Sequence, residues 1–372
     1  MMIGKRFFIF IVMLALTGCW DEKLLKDSSL VLSIGIDLAK NNEVKTTTAI
    51  RTSRIISGGQ SESINYIVEE ISNTIRETRL EVDKQIPGVY EQNKLRILLI
   101  GDKIASKDLY PYFDVFFRDP RSSLAAKVAV VKGEASEIIK MKKLKENLIS
   151  EALIDLLKSA EEHTIVPVEN QQTILTSMFD VGEDFTLPYM EKLDKDTVKV
   201  TGVALFHRRS FTGKTLKGNK PIIFLMAKGE KSKDIKLTER LENKDGRNVK
   251  NFVSFSVLKT KRNMNIKMVK GKPAATINLK LFIEINEYPE GSLYGQKEES
   301  ALNKKVARRI EKEANAMVDT LKSANCDAFG IGRYLIADHH KEWEKLNWDK
   351  EYPDMAFKIN VKVETVNRGI IQ

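Results

Sequence analysis

The chain has 372 residues but only two cysteines, Cys19 and Cys326, so no disulfide framework can hold it together. Its four histidines are no better placed for a metal. His163 and His207 stand alone, and the adjacent pair His339-His340 would point about 100° apart on a helix. Neither HExxH nor CxxC occurs, and no G-x-S-x-G elbow offers a nucleophilic serine. Gly213-Lys214-Thr215 resembles the end of a phosphate-binding loop, but Arg208 occupies the position where the first glycine is required. Gly330-Ile331-Gly332 could open a dinucleotide fingerprint, yet Leu335 replaces its third glycine. Carboxylates are abundant, and no spacing singles out an acid/base pair. No enzyme activity, cofactor or metal is expected, and no internal repeat or low-complexity tract is present.

Long apolar runs are scarce as well. The longest opens the chain: Lys5 and Arg6 precede ten apolar residues, Phe7 to Leu16, and then Thr17-Gly18-Cys19. A basic start, a short apolar core and small residues before a cut site describe a secretory signal peptide. Ten helical residues reach only about 15 Å, half a bilayer's hydrocarbon thickness, so this segment cannot be a permanent span. Leu16-Thr17-Gly18-Cys19 resembles the lipobox of bacterial lipoproteins. The resemblance implies cleavage between Gly18 and Cys19 and a diacylglycerol on the Cys19 thiol. Two acyl chains give stable anchoring at about 0.8 kcal/mol per buried methylene. With that role taken by Cys19, Cys326 has no partner and reads as a small buried apolar side chain.

What remains is ordinary globular composition, 42% hydrophobic and 30% charged. The formal charge is +10; losing Lys5 and Arg6 takes 61 basic residues to 59 against 51 acidic, or +8. Export argues against nucleic acid and for anionic lipid head groups or an anionic polymer. The lysine-rich runs at 140–145 and 228–236 read as solvated faces.

Residues 19–29 are polar enough for a tether. Leu30–Asp37 reads as a strand, with 46–54 as its partner. Ile64, Ile67, Val68, Ile71 and Ile75 recur at helical spacing and predict an amphipathic helix over 62–80. Leu95–Gly101 reads as a strand buried on both faces, Tyr110–Phe117 as an aromatic helix, and Leu124–Val131 as another strand. Ile149, Ala152, Leu153, Leu156, Leu157 and Ala160 share one helical face. Strands alternating with helices predict a sheet flanked by helices up to about residue 190. A strand over 198–206 is expected to turn at Thr212-Gly213-Lys214, and the apolar run 221–227, PIIFLMA, reads as another strand. Alternation at Val253, Phe255 and Val257, and again from Ala275 to Ile285, predicts an antiparallel sheet with one wet face. A charged helix over 298–322 buries Leu302, Val306, Ile310, Met317 and Leu321, and a final strand runs through Phe357 to Val363. The fold class is α/β to α+β, a multi-lobed body of mixed and antiparallel sheets flanked by helices. Its expected divisions are a leader (1–18), a tether (19–29), an N-terminal α/β domain (30–190), a middle β-rich domain (191–250) and a C-terminal α+β domain (251–372).

The order of several short motifs carries one further inference. The lipobox runs into Trp20-Asp21, and Gly35-Ile36-Asp37-Leu38 and Phe117-Arg118-Asp119-Pro120-Arg121 follow. Then come Gly202-Val203-Ala204-Leu205-Phe206, Asp327-Ala328-Phe329-Gly330-Ile331-Gly332, and a tail with Trp343, Asn347-Trp348 and an alternating strand. Each motif is weakly specific, but in this order the chain resembles the Ger(x)C family, lipoprotein C subunits of the nutrient germinant receptors of bacterial spores. The resemblance implies a three-lobed α/β body without enzyme activity. It also implies two membrane-embedded partners, the A and B subunits, and a place on the outer face of the spore inner membrane. Arg118, Asp119, Arg121, Phe329, Trp343 and Trp348 are the candidate partner surface, since aromatic and arginine side chains anchor interfaces. The competing expectation is a solute-binding lipoprotein that captures a small germinant itself.

Overall fold

Two sheets share a strand-rich seam in the computed structural model, which describes residues 28–55, 61–230, 232–241, 248–291 and 295–368. The expected leader, its cleavage site at Gly18 and the lipid-bearing Cys19 lie outside the described residues. The first sheet opens with β1 (Ser28–Leu38), β2 (Val44–Ile55) and β3 (Ser61–Ser72), antiparallel throughout. Helix α1 (Ile75–Asp83) follows, started by the Thr74 hydroxyl accepting the Glu77 amide at 3.1 Å. Next are β4 (Val89–Glu91) and β5 (Ile97–Gly101), each parallel to β1, and then α2 (Asp102–Ala105) and α3 (Tyr110–Arg118).

Strand β6 (Lys127–Val131) lies parallel to β5. Helix α4 (Ala135–Ile139), a two-residue hairpin of β7 (Lys143–Leu144) and β8 (Asn147–Leu148), α5 (Ile149–Glu162) and α6 (Gln171–Met178) connect it to β9 (Thr186–Lys192). Strands β10 (Val198–His207) and β11 (Ser210–Lys217) complete the order β11-β10-β9-β6-β5-β1-β2-β3, with β4 beside β1. All five residues of β5 are buried, as expected for a parallel strand covered by helices on both faces.

Helix α7 (Lys220–Lys228) then leads into the second sheet. That sheet has the order β12 (Lys236–Arg240), β13 (Phe252–Val269), β14 (Lys272–Glu287) and β15 (Ala356–Asn367). β14 and β15 are parallel, so the chain between them must cross over. The crossover is α8 (Gln296–Ser323), α9 (Ile331–Asp338), α10 (His340–Trp343) and α11 (Trp348–Asp354). The five predicted stripe residues of α8 are all buried, together with Ala314 and Val318. Along β14 and the first six residues of β13, alternate side chains enter the core and the others are half-buried or exposed.

Strand β10 joins the two bodies. Ala204 and Phe206 enter a core with α3 and β5, while Val203 and Leu205 enter the core beneath α7, α8 and β14. The first sheet runs from residue 28 to 217 and the second from 236 to 367, so the expected joins at 190 and 250 do not separate two sheets. The 191–250 stretch divides instead: β10 and β11 extend the first sheet, and α7 and β12 enter the second core.

Three local expectations are corrected. Residues 61–72 form a strand, and the helix begins only at Ile75, because β-branched residues in twelve-residue register with β2 satisfy the backbone there. Ile71 is 50% exposed, so the supposed helical stripe does not exist. The run 221–227 is helical, since Pro221 lies in its first turn and Gly229 at φ 92° ends it by donating to the Leu225 carbonyl. All seven residues are buried, and without a wet face the pattern does not distinguish helix from strand. The β10–β11 turn lies at Arg208-Arg209, leaving Thr212–Lys214 inside β11.

Candidate functional site

The motif 327–332 builds the centre of the seam. Asp327 is 3% exposed, and its carboxylate accepts the Ile331 amide at 3.0 Å, the Gly332 amide at 2.8 Å and Trp348 Nε1 at 3.2 Å. It closes the first turn of α9 and ties Trp348 to that turn. Burial pushes the Asp327 carboxyl up to about 7, against the opposing pull of these donors. Gly330 sits at φ 66°, a left-handed conformation that suits glycine. At Gly182 a Cβ would come within 2.4 Å of the Arg333 amide nitrogen, so the 180–184 segment and the start of α9 touch backbone to backbone. That amide donates to the Gly182 carbonyl at 2.9 Å, and the Asp184 amide donates to the Asp327 carbonyl at 3.1 Å.

Asp184 works from the opposite side. Its carboxylate accepts the Asp327 amide at 2.9 Å and the Arg208 amide at 2.5 Å, and His207 Nδ1 lies 3.5 Å away. The hydrogen bond with Asp184 raises the His207 imidazole above its ordinary value. His207 also faces Asp349, whose carboxylate pairs with Arg208. Arg333 pairs with Asp180 and Glu183, and Glu183 also meets Lys228. Asp180, Glu183, Asp184, His207, Arg208, Asp327 and Asp349 line a cleft of about 1140 Å³ that Trp343, Trp348 and Asn347 also line. The two tryptophan rings tilt against each other with centroids 5.5 Å apart.

The sequence-predicted residues divide among different places. Trp343 and Trp348 stay partly exposed on the cleft wall, whereas Phe329 is in the core, edge-on to Phe224 and Phe357. Arg118 is exposed and pairs with Asp114 one turn earlier. Asp119 instead fastens its own loop: it accepts the Gln92 side chain at 3.0 Å and the Arg121 amide at 3.0 Å, and faces the buried Arg79 at 3.8 Å. Arg121 is exposed beside Asp119 and Glu91. The 117–121 motif lies at the far end of α3 from the cleft, whose rim the first residue of that helix, Tyr110, reaches through Phe179 and Arg209.

Sequence reading missed Asp184, His207 and Gly182, which become neighbours of Asp327 only through folding. Cys326 is fully buried, and burial raises its thiol well above the ordinary value, so it packs as an apolar side chain. Two other quoted motifs are likewise structural. Asp37 accepts the Ala135 and Ser136 amides at 2.7 and 2.9 Å, capping α4. A Cβ on Gly202 would lie 1.9 Å from the Leu216 carbonyl oxygen. The arrangement can hold two bodies together and offer an aromatic, mixed-charge cleft. Both acids nearest its floor accept hydrogen bonds from the protein itself.

Residues 21–192 match the family model described as spore germination protein N-terminal domain, and residues 201–369 match the one described as spore germination B3/GerAC like, C-terminal. The chain is 22% identical over 370 residues to spore germination protein GerQC of Bacillus cereus, covering 99% of this chain and 100% of that one. It is 24% identical over 397 residues to spore germination protein KC of Bacillus subtilis (strain 168), covering 95% and 92%. In fold it is similar to the crystal structure of the GerBC protein, with a TM-score of 0.56 at 15% identity over 90% of this chain and 97% of that one.

Proposed function

Since this chain belongs to the GerAC family of spore germination proteins, we propose that it is a non-catalytic lipoprotein subunit of a nutrient germinant receptor. In this reading a diacylglycerol on Cys19 holds the body on the outer face of the spore inner membrane. There it docks on membrane-embedded A and B subunits and is needed for response to nutrients. The observation that supports it most is the pair of family matches, in order along nearly the whole chain, behind a sequence ending in Leu16-Thr17-Gly18-Cys19.

Deleting the gene, or substituting Cys19→Ala, should abolish germination with particular nutrients while non-nutrient triggers still act. Normal nutrient germination in both strains would reject the proposal. The second reading, direct capture of a germinant, draws on the cleft beside Trp343 and Trp348. It requires a germinant to raise the unfolding free energy by about 2.7 kcal/mol at a hundredfold excess over its dissociation constant. An unchanged melting temperature across a germinant panel would remove it.

A further inference from the structure

Three parallel strands, β1, β5 and β6, begin at one edge of the first sheet, and a second concavity of about 580 Å³ lies there. Its floor is apolar, formed by Leu32, Leu95 and Ile154, and its wall carries Arg51, Lys94, Arg96, Lys127 and Lys158. Among the described residues, no lining residue is acidic. Lys127, Arg96 and Arg51 lie on or beside β6, β5 and β2, which with β1 are four neighbouring strands, so they span about 14 Å at the usual strand spacing. Arg51 pairs with Glu151 and Lys127 with Glu161. Lys94, Arg96 and Lys158 have no ion pair among the described residues.

The place of this groove matters as much as its charge. Leu30 and Leu32 line it, so it adjoins the start of β1. Nine peptide steps separate Cys19 from Ser28, a span of at most about 30 Å when fully extended. A lipid on Cys19 would therefore keep this edge, with its net positive wall and apolar floor, close to the membrane surface.

We infer that the groove binds the phosphate headgroup of an anionic phospholipid, the lysines and arginines meeting phosphate while the apolar floor meets the upper acyl region. The inference rests on the proposed membrane-held subunit, and it assigns the orienting contact to a site separate from the lipid anchor. Anionic headgroups attract each nearby lysine or arginine strongly enough for roughly a fivefold change in affinity.

The test uses residues 20–372, which lack the lipidation cysteine but retain every described core residue, the first being Val31. Co-sedimentation with phosphatidylcholine vesicles should be weak, and phosphatidylglycerol in the vesicles should increase it. The combined variant Lys94→Gln, Arg96→Gln, Lys158→Gln should lose about a hundredfold in affinity. The control is Lys261→Gln, Lys280→Gln, Lys362→Gln, an equal charge change in one row across the second sheet's wet face, and it should bind nearly as the parent does. If the first variant melts early, Arg96→Gln alone should still cost about fivefold.

Indifference of the parent to phosphatidylglycerol overturns the inference, as does equal loss in both variants or loss confined to the control. Groove-dependent binding to polyglutamate without vesicle binding also overturns it and would assign the site to an acidic chain. Because Cys19 is absent from the experiment, failure here leaves the anchor itself standing, to be judged by mass spectrometry of the native protein.

Discussion

The two sheets bury their residues differently. In the first, helices cover both faces of β5 and β6, so every residue of β5 is buried and the sequence there is an unbroken apolar run. In the second, β13 and β14 bury one side and wet the other, so the sequence alternates. The first sheet also carries the first described residues and the basic groove, while the crossover of the second contributes the tryptophan wall of the cleft. They are nevertheless coupled, because adjacent residues of β10 enter opposite cores. A two-body protein with a shared strand should transmit a change in one body to the other.

The largest effects are expected from mutating the shared strand. Leu205→Ala removes a side chain from the second core, and Phe206→Ala removes one from the first, where it stacks on Phe185 at 4.5 Å. The first should cost about 2–5 kcal/mol and the second about 3–5 kcal/mol. In urea, the fluorescence of Trp343 and Trp348, read in a Trp20→Phe background, and far-ultraviolet circular dichroism should shift together in both variants. Two separated transitions would show that the bodies are independent.

A smaller effect is expected at the seam. Gly182→Ala forces a methyl against the Arg333 backbone and should cost about 1–3 kcal/mol, measured by the same unfolding curves.

Asp327→Asn sharpens the electrostatic side. The folded Asp327 carboxyl titrates near 7, above its ordinary 3.8, so its contribution to stability is complete below about pH 4 and is lost as pH rises through 7. The stability gap between parent and Asp327→Asn should therefore narrow across that window. His207, raised by Asp184, loses its contribution in the same sense as it deprotonates, so a residual slope should persist in the variant. A gap constant from pH 4 to 8 would refute the assignment. Smallest of all, Lys280→Thr on the wet face should change stability by no more than about 0.5 kcal/mol, although its neighbour Leu281 is fully buried.

The same contrast explains what could be read in advance. Where one face is wet, as in β13, β14 and α8, periodicity marked the element and its buried residues. Where nothing is wet, as in 221–227, apolar content was visible but its geometry was not; the proline at one end and glycine at the other were the signals for a helix. Ile64 to Ile75 failed for another reason, since a β-branched series fits two periods and the pairing with β2 decided between them. In the cleft, Trp343 and Trp348 were legible as aromatics among charges. Asp184, His207 and Gly182 were not, because the residues that join them to the 325–333 segment lie more than a hundred residues away. The quoted motifs at 35–38, 117–121, 202–206 and 327–332 supply caps, close backbone contacts and core residues, which is how short, weakly specific strings in a fixed order can mark a fold without marking a reaction.

The central proposal, a membrane-held subunit that acts by docking, is tested most directly by purifying a tagged chain from spore membranes in mild detergent. Recovery of two multi-span proteins with the chain, carrying a diacylglyceryl cysteine at its start, is the expected result. A chain recovered alone, with an unmodified thiol at Cys19, would contradict it.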